Sequence, residues 1–386
     1  MLKVGAVTST ALCQAHVDDP VLREHISKRA ERSACSYCAA RGREGEPVAA
    51  DLDDFMEAFL VGVHLHYQSR VQTAAPHSRI PSVEPVAVAR EIGHIAGVTD
   101  AKLVDDIALA LGGTAWVSRD ALEDNPIERL AYSWDTFKHV VKYEMRFFFG
   151  SRSTGGGGSD DLTAMQLLQA VSDVGENTPE VWPVACPQPI FRARMARTKT
   201  EAAAWLNPAD LGPPPSERAA SSRMSPAGIS IFYGATDRTT AIAEAGSHTA
   251  FRYVVTGEFS PTRELRLIDL TNLPDLPSIF DGAARKRYFV LRFLQKFVDD
   301  ITLPVELDGQ EHIDYVPTQV FTEYFRHAFP SAVDGLMFPS TQGPGNNVVL
   351  FFGPASCSDV GSMTGETTLL LDTGTLQISR VMTVAR

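Results

Sequence analysis

Between Arg223 and Glu244 the chain reads RMSPAGISIFYGATDRTTAIAE. A turn, a short apolar run and a helix start follow one another directly, and this order restricts the fold more than any other stretch. Arg223-Met-Ser-Pro-Ala-Gly228 has the proline and glycine of a turn, and Ile229 to Tyr233 reads as a strand. Gly234 turns the chain, and Asp237 is placed to cap a helix carrying Glu244. Thr240 and Glu244 stand four apart and share one helical face. Such an order brings a guanidinium, a phenol and a carboxylate toward one end of a sheet, where small ligands usually sit. The plain alternative is a solvated turn arginine and an exposed helix acid.

A chain of 386 residues exceeds one ordinary core, so two domains with a small appended module are expected. With 44% hydrophobic and 21% charged residues it has the composition of a globular protein, and no disorder class fits. The net charge of −12 argues against a nucleic-acid partner, although a local basic pocket for one dinucleotide is compatible with it. No apolar run reaches membrane-spanning length, so no membrane partner is expected. The opening residues are too polar for a signal peptide, which leads to the expectation of a cytoplasmic protein.

Five cysteines do not make a disulfide framework in a chain this long. Cys13-Gln-Ala-His16, a spacer and Cys35-Ser-Tyr-Cys38 instead form paired knuckles of the kind that surround one tetrahedral ion. Three thiolates and an imidazole suit a structural zinc, and four protein ligands leave no open position for catalysis. The alternative is buried free cysteines beside a surface histidine. From Asp51 the pattern turns helical, with Leu52, Phe55, Met56, Phe59, Leu60 and Val63 on one stripe. Further helices are expected over 84–96, 100–111 and 126–149. His64 and His66 point to different helical faces and read as ordinary polar residues. Arg70 and His77 loosely resemble the Arg-His pair of helical ribonucleases, without a second basic cluster to support RNA.

The run SRSTGGGGS over 151–159 has the composition of a flexible linker. It carries neither the Lys-Ser/Thr nor the strand–helix context of a phosphate-binding loop. The expected organisation is therefore a zinc-knuckle module over 1–50, a helical bundle over 51–150, a linker and docking helix over 151–185, and a further domain over 186–386. In that last part the pattern is mixed. Strands are expected over 190–195, 229–233, 251–259, 265–270, 333–338 and 348–352, with a final hairpin about Asp372-Thr373-Gly374. Helices are expected over 237–245, 283–298 and 314–329. The class is α+β.

Four of these segments together resemble one family. Phe191-Arg-Ala-Arg194, Leu211-Gly-Pro-Pro-Pro215 leading to Arg223-Met-Ser-Pro-Ala-Gly228, Phe232-Tyr-Gly-Ala235 with Thr240-Ala-Ile-Ala-Glu244, and Asp334-Gly-Leu-Met-Phe-Pro-Ser340 look like the blocks of the RES domain, in order, over about 186–356. The helical part with its knuckles is similar to the extension of longer members. The resemblance implies a fold like that of ADP-ribosyltransferases and, in characterised relatives, toxins of toxin–antitoxin systems that consume NAD. Glu244, Arg223 and Ser340 would be catalytic, and Arg192, Arg223, Tyr233 and Ser340 would bind NAD. An antitoxin or inhibitor protein is the implied partner, and a homo-oligomer stays open. Met224-Ser225 replaces a Trp-Asn pair of shorter relatives, and the segment between Arg192 and Arg223 is longer; both leave the acceptor open.

The residue types fit that chemistry. Cleaving the nicotinamide–ribose bond expels a neutral pyridine, so no acid is needed at the leaving group. Positive charge moves onto the ribose, and a carboxylate such as Glu244 lowers that barrier. Arginine forks match phosphate oxygens, a tyrosine ring can stack on a flat cation, and the glycines of 341–347 allow backbone amides to approach a ligand. Each residue also has an ordinary alternative: Arg192 as an ion-pair partner, Tyr233 as a core aromatic, Ser340 as a strand cap, Gln319 as a helix-packing residue rather than a ligand contact. Hydrolysis, transfer of ADP-ribose to a macromolecule or to phosphate, and nucleotide binding without turnover are the functional readings that follow.

Overall fold

The computed structural model describes residues 10–69, 81–113, 115–118, 184–247, 249–303 and 309–381, with positions 134, 137–144, 146, 168 and 172 between them. The linker over 151–159 and the Arg70–His77 pair lie outside the described residues, as do most of the helix expected over 126–149 and of the docking helix expected within 151–185. Two compact units divide the chain, Met1–Tyr132 with Leu276–Phe289, and Ser133–Asp275 with Val290–Arg386.

In the first unit β1 (Ala11–Leu12) precedes α1 (Pro20–Lys28), then β2 (Ala50–Asp51), α2 (Leu52–His66), β3 (Tyr67–Ser69), α3 (Pro85–Ile95), α4 (Ala101–Ala110) and β4 (Trp116–Ser118). Helix starts follow the sequence signals: Asp19 accepts from the amides of Val21 and Leu22 with Pro20 in the first turn, and Asp100 accepts from Leu103. The expected stripe of α2 buries Leu52, Phe55, Met56, Phe59 and Val63 at 2% exposure or less. β1 pairs antiparallel with β2, and β3 with β4. These short ribbons fix the ends of helices rather than build a sheet.

The second unit is organised by a mixed sheet. Its strands are β5 (Val184–Ala185), β6 (Ile190–Ala196), β7 (Phe232–Ala235), β8 (Tyr253–Pro261), β9 (Arg266–Asp269), β10 (Gly335–Pro339), β11 (Asn346–Leu350), β12 (Cys357–Asp359) and β13 (Leu369–Arg380). Their spatial order is β12-β13-β8-β6-β7-β11-β10-β9-β5. The β9–β10 and β12–β13 pairs are parallel and the others antiparallel. The helices are α5 (Lys199–Ala204), α6 (Pro208–Leu211), α7 (Arg238–Gly246), the Val290–Thr302 part of α8 (Arg285–Thr302), α9 (Glu311–Asp314) and α10 (Val316–His327). The class is α+β.

One core joins the sheet's apolar positions, with Ile190, Phe232, Phe259, Leu267, Val348, Leu350 and Leu369 fully buried. Phe232 and Phe259 meet edge to face at 4.9 Å. A second group packs Trp134, Phe297, Phe321 and Phe325 edge to face or tilted, and the indole Nε1 of Trp134 donates to Asp300 at 2.5 Å.

Two sequence expectations shift. The strand expected over 229–233 is Phe232–Ala235, because the ladder with β11 begins at Phe232↔Leu350 and leaves Ile229 exposed. The final hairpin is instead one strand, β13, running along β8 with a register irregularity between Asp372 and Gln377. Asp372-Thr373-Gly374 bulges rather than reverses the chain, since the apolar residues on both sides of it find partners on the same neighbour.

Candidate functional site

A cleft of about 480 Å³ opens in the second unit, within the range of small-molecule and cofactor sites. Arg192, Arg223, Tyr233 and Glu244 all line it. The elements behave as the sequence order demands: a turn delivers Arg223, β7 delivers Tyr233, and α7 delivers Glu244 two turns beyond its cap. Asp237 makes that cap, accepting from the amide and the hydroxyl of Thr240 at 2.8 and 2.6 Å.

Glu244 is held through one oxygen. Oε1 accepts from the Ser340 hydroxyl at 2.5 Å and from the Asn347 side-chain amide at 2.8 Å. No hydrogen bond to Oε2 occurs among the described residues. The Ser340 oxygen in turn accepts from the amides of Gln342 and Gly343 at 3.1 and 3.0 Å, so its proton has one destination. The loop between β10 and β11 is bolted to the start of α7: the Gly345 amide donates to Thr240 Oγ1 and the Asn346 amide to Thr236 Oγ1, both at 2.9 Å. A Cβ on Gly345 would stand 1.9 Å from Asp237 Oδ2, so the approach requires glycine.

The two arginines are engaged differently. Arg192 donates from Nε to the Leu211 carbonyl at 2.5 Å, from Nη2 to Gly212 at 3.2 Å, and from Nη1 to the Tyr233 carbonyl. Its guanidinium lies 4.9 Å from the Phe232 ring, and burial pulls its pKa down to about 10. It ties together the backbone segments that form the cleft wall. Arg223 donates to the carbonyls of Asp300 and Leu303 at the end of α8, the first at 2.5 Å. Burial pulls it below its ordinary value, against the nearby Tyr315, Asp300, Asp314 and Glu244. Thr341, the neighbour of Ser340, donates to the Thr302 carbonyl at 2.9 Å, so both cleft walls grip the last turn of α8.

Tyr233 turns its hydroxyl inward, at 2.5 Å from Ser222 Oγ and accepting from the Met224 amide at 3.1 Å. Burial pushes the phenol up to about 12. Gln319 acts on the same turn, its Nε2 donating to Ser221 Oγ, the Ser222 carbonyl and the Ser225 carbonyl at 3.0, 2.7 and 3.2 Å. Thr318 adds a bond from Oγ1 to the Arg223 carbonyl at 2.5 Å. The arginine turn is therefore strapped from α10, which settles Gln319 as a residue that holds the turn. Two residues that line the cleft are not singled out by the sequence. Asn347 belongs to the glycine loop, although a polar amide heading the apolar run NNVVLFF is a usable signal. Tyr315 lines the cleft with its ring 5.9 Å from the Arg223 guanidinium carbon.

In the first unit the ligand atoms of Cys13, His16, Cys35 and Cys38 lie within 4.8 Å of one another. The sulfurs of Cys13 and Cys38 are 3.7 Å apart. A tetrahedral zinc with Zn–S bonds of about 2.3 Å places sulfurs about 3.8 Å apart, so this spacing fits. Nε2 of His16 is buried with no hydrogen-bond partner, as a nitrogen reserved for a metal would be. The knuckles are held by backbone bonds from Ser36 to Ala11 and from Cys35 to Ala40, at 2.7 and 3.0 Å. Between Cys35 and Cys38, Tyr37 anchors to Asp106 on α4 at 2.8 Å.

Fold and cleft together define an α+β domain with a half-buried carboxylate–serine pair beside its cleft. The RES domain matches residues 189–367 and the HEPN/RES N-terminal domain 1 matches residues 28–154. The chain belongs to the RES-domain family and carries its N-terminal extension. No curated protein matches it. Among solved structures, a chain from "Crystal structure of the M. tuberculosis MbcT-MbcA toxin-antitoxin complex" is similar over 55% of this chain and 91% of its own, at 13% identity and a TM-score of 0.27. Among the described residues no helix is long and apolar enough to cross a membrane.

Proposed function

We propose that this RES-domain protein consumes NAD, cleaving the bond between nicotinamide and ribose, and acts in the cytoplasm as a toxin held in check by an antitoxin or inhibitor protein. Family membership supports NAD as the substrate. The observation that carries the reading is the state of Glu244: one oxygen is fixed by Ser340 and Asn347, and the other is left without a partner among the described residues beside a cleft of suitable volume.

In this reading nicotinamide leaves with the bonding electrons as a neutral base, and positive charge builds on the ribose ring. Glu244 stabilises that charge, and its Oε2 accepts from a ribose hydroxyl, a bond that strengthens as the charge develops. Ser340 and Asn347 orient the carboxylate, so no reorganisation is needed at the moment of reaction. Arg223 supplies positive charge for the pyrophosphate from the strapped turn. Arg192, with its N–H groups on backbone carbonyls, supports the wall. Water then adds to the ribose carbon and gives up a proton, leaving ADP-ribose. Cys13, His16, Cys35 and Cys38 would hold a zinc ion that cross-links the N-terminal segment and takes no part in the chemistry.

The test is incubation of purified protein with NAD and mass analysis of the products. Free ADP-ribose identifies water as the acceptor, while its phosphorylated form or a protein adduct identifies transfer. Glu244→Gln removes the charge but keeps the shape, and NAD loss is expected to slow by about 10²-fold or more. Full turnover by that variant rules the mechanism out.

A further inference from the structure

We infer that Tyr315 is the aromatic wall on which a flat heteroaromatic base of the dinucleotide stacks, and so a specificity-determining residue of the cleft; this rests on the NAD reading above. The sequence points to Tyr233 for ring stacking. That ring is a strut, because its hydroxyl is tied on either side of Arg223, to Ser222 and to the Met224 amide.

Tyr315 is anchored in the opposite way. Its backbone carbonyl accepts from the Gln319 amide at 2.9 Å and from Thr318 Oγ1 at 3.0 Å, at the junction of α9 and α10. Its side chain is half-buried in the cleft wall, and its hydroxyl has no hydrogen-bond partner among the described residues. A fixed backbone carrying a ring whose hydroxyl is uncommitted is what a ligand platform requires, since the backbone is already ordered when a base arrives. Its surroundings suit a polarisable, flat group. The Arg223 guanidinium carbon lies 5.9 Å from the ring centroid and is itself held by the α8 carbonyls, so the ring and the cation form a preset corner. An aliphatic group offers such a corner no π face, whereas a flat base meets the ring face.

Nicotinamide and adenine are both flat, and the experiment separates them. Binding of NAD, nicotinamide mononucleotide and ADP-ribose is measured by calorimetry in the Glu244→Gln background, with Tyr315 intact, Tyr315→Phe and Tyr315→Leu. Steady-state NAD loss is followed in the same Tyr315 variants of the otherwise wild-type chain. Tyr315→Leu is expected to weaken NAD binding and raise KM roughly tenfold or more, with kcat changed by less than about threefold. Tyr315→Phe keeps the ring and is expected to stay within about threefold of the parent for both. A loss shared with ADP-ribose puts adenine on the ring, and a loss shared with nicotinamide mononucleotide puts nicotinamide there. If the wild type consumes NAD and Tyr315→Leu neither weakens binding nor raises KM, the inference is wrong and the NAD reading stands. If the wild type neither binds nor consumes NAD, both fall.

Discussion

The hydroxyl of Ser340 donates to Oε1 of Glu244 at 2.5 Å, across 96 positions of sequence. Because the serine oxygen is already filled by two backbone amides, the bond fixes which way the proton points and so which carboxylate oxygen stays open. Ser340→Ala is expected to lower kcat for NAD loss by about 10- to 100-fold with little change in KM, as loss of a hydrogen bond to a charged group at a reacting centre does. Asn347→Ala should act in the same direction on the same oxygen. Unchanged kcat in both would show that the carboxylate needs no orienting.

Gly345 sits where a side chain would collide with Asp237 and Thr236, the residues that cap α7 and hold its loop. Gly345→Ala is expected to destabilise the domain by about 1–3 kcal/mol and to lower turnover more than the stability change explains. Denaturant unfolding and NAD loss, measured on the same preparation, check both parts.

Cys186 and Cys357 are pushed up to about 12 by burial, with Asp334 adding to the rise at Cys186 and Arg192 opposing it at Cys357. In the unfolded chain both thiols ionise near their ordinary value of 9, while the folded chain keeps the protons. The unfolded state therefore binds fewer protons above that value, and stability fully present below pH 9 is lost as pH rises toward 12. The Tm of the wild type is expected to fall more steeply between about pH 9 and pH 10 than that of a Cys186→Ala/Cys357→Ala variant. Parallel curves would remove the two thiols as the cause.

For the knuckles, elemental analysis of the purified chain is expected to find about one zinc per molecule, lost in Cys35→Ser. Chelation should lower the Tm of the wild type and leave that of Cys35→Ser unchanged. A wild type free of zinc after purification and after reconstitution would mean that the cluster is a reduced cysteine site.

The parts of this site that the sequence announces are those with restrictive chemistry. Asp237 ahead of a helix, glycines in a loop against that helix, and cysteines at knuckle spacing can each serve few purposes, and each is where its spacing places it. Hidden parts are of two kinds. Arg192 and Arg223 both spend their donors on backbone carbonyls, and a carbonyl is present at every residue, so nothing in a sequence marks Leu211 or Asp300 as an arginine's partner. Tyr233 and Tyr315 are the same residue type, and only packing decides which hydroxyl stays uncommitted. The hairpin expected within β13 fails for a related reason, since Asp-Thr-Gly marks a change of backbone direction without saying whether the strand resumes along the same neighbour.

The last turn of α8 is gripped by Arg223 from one side and by Thr341 from the other. Fraying there would release the guanidinium and slacken the serine loop in a single event. Substitutions from Val298 to Asp300, which stand outside the cleft lining, therefore form a fault line along which activity fails before the sheet does. Screens for loss of NAD consumption should recover them alongside changes at Glu244.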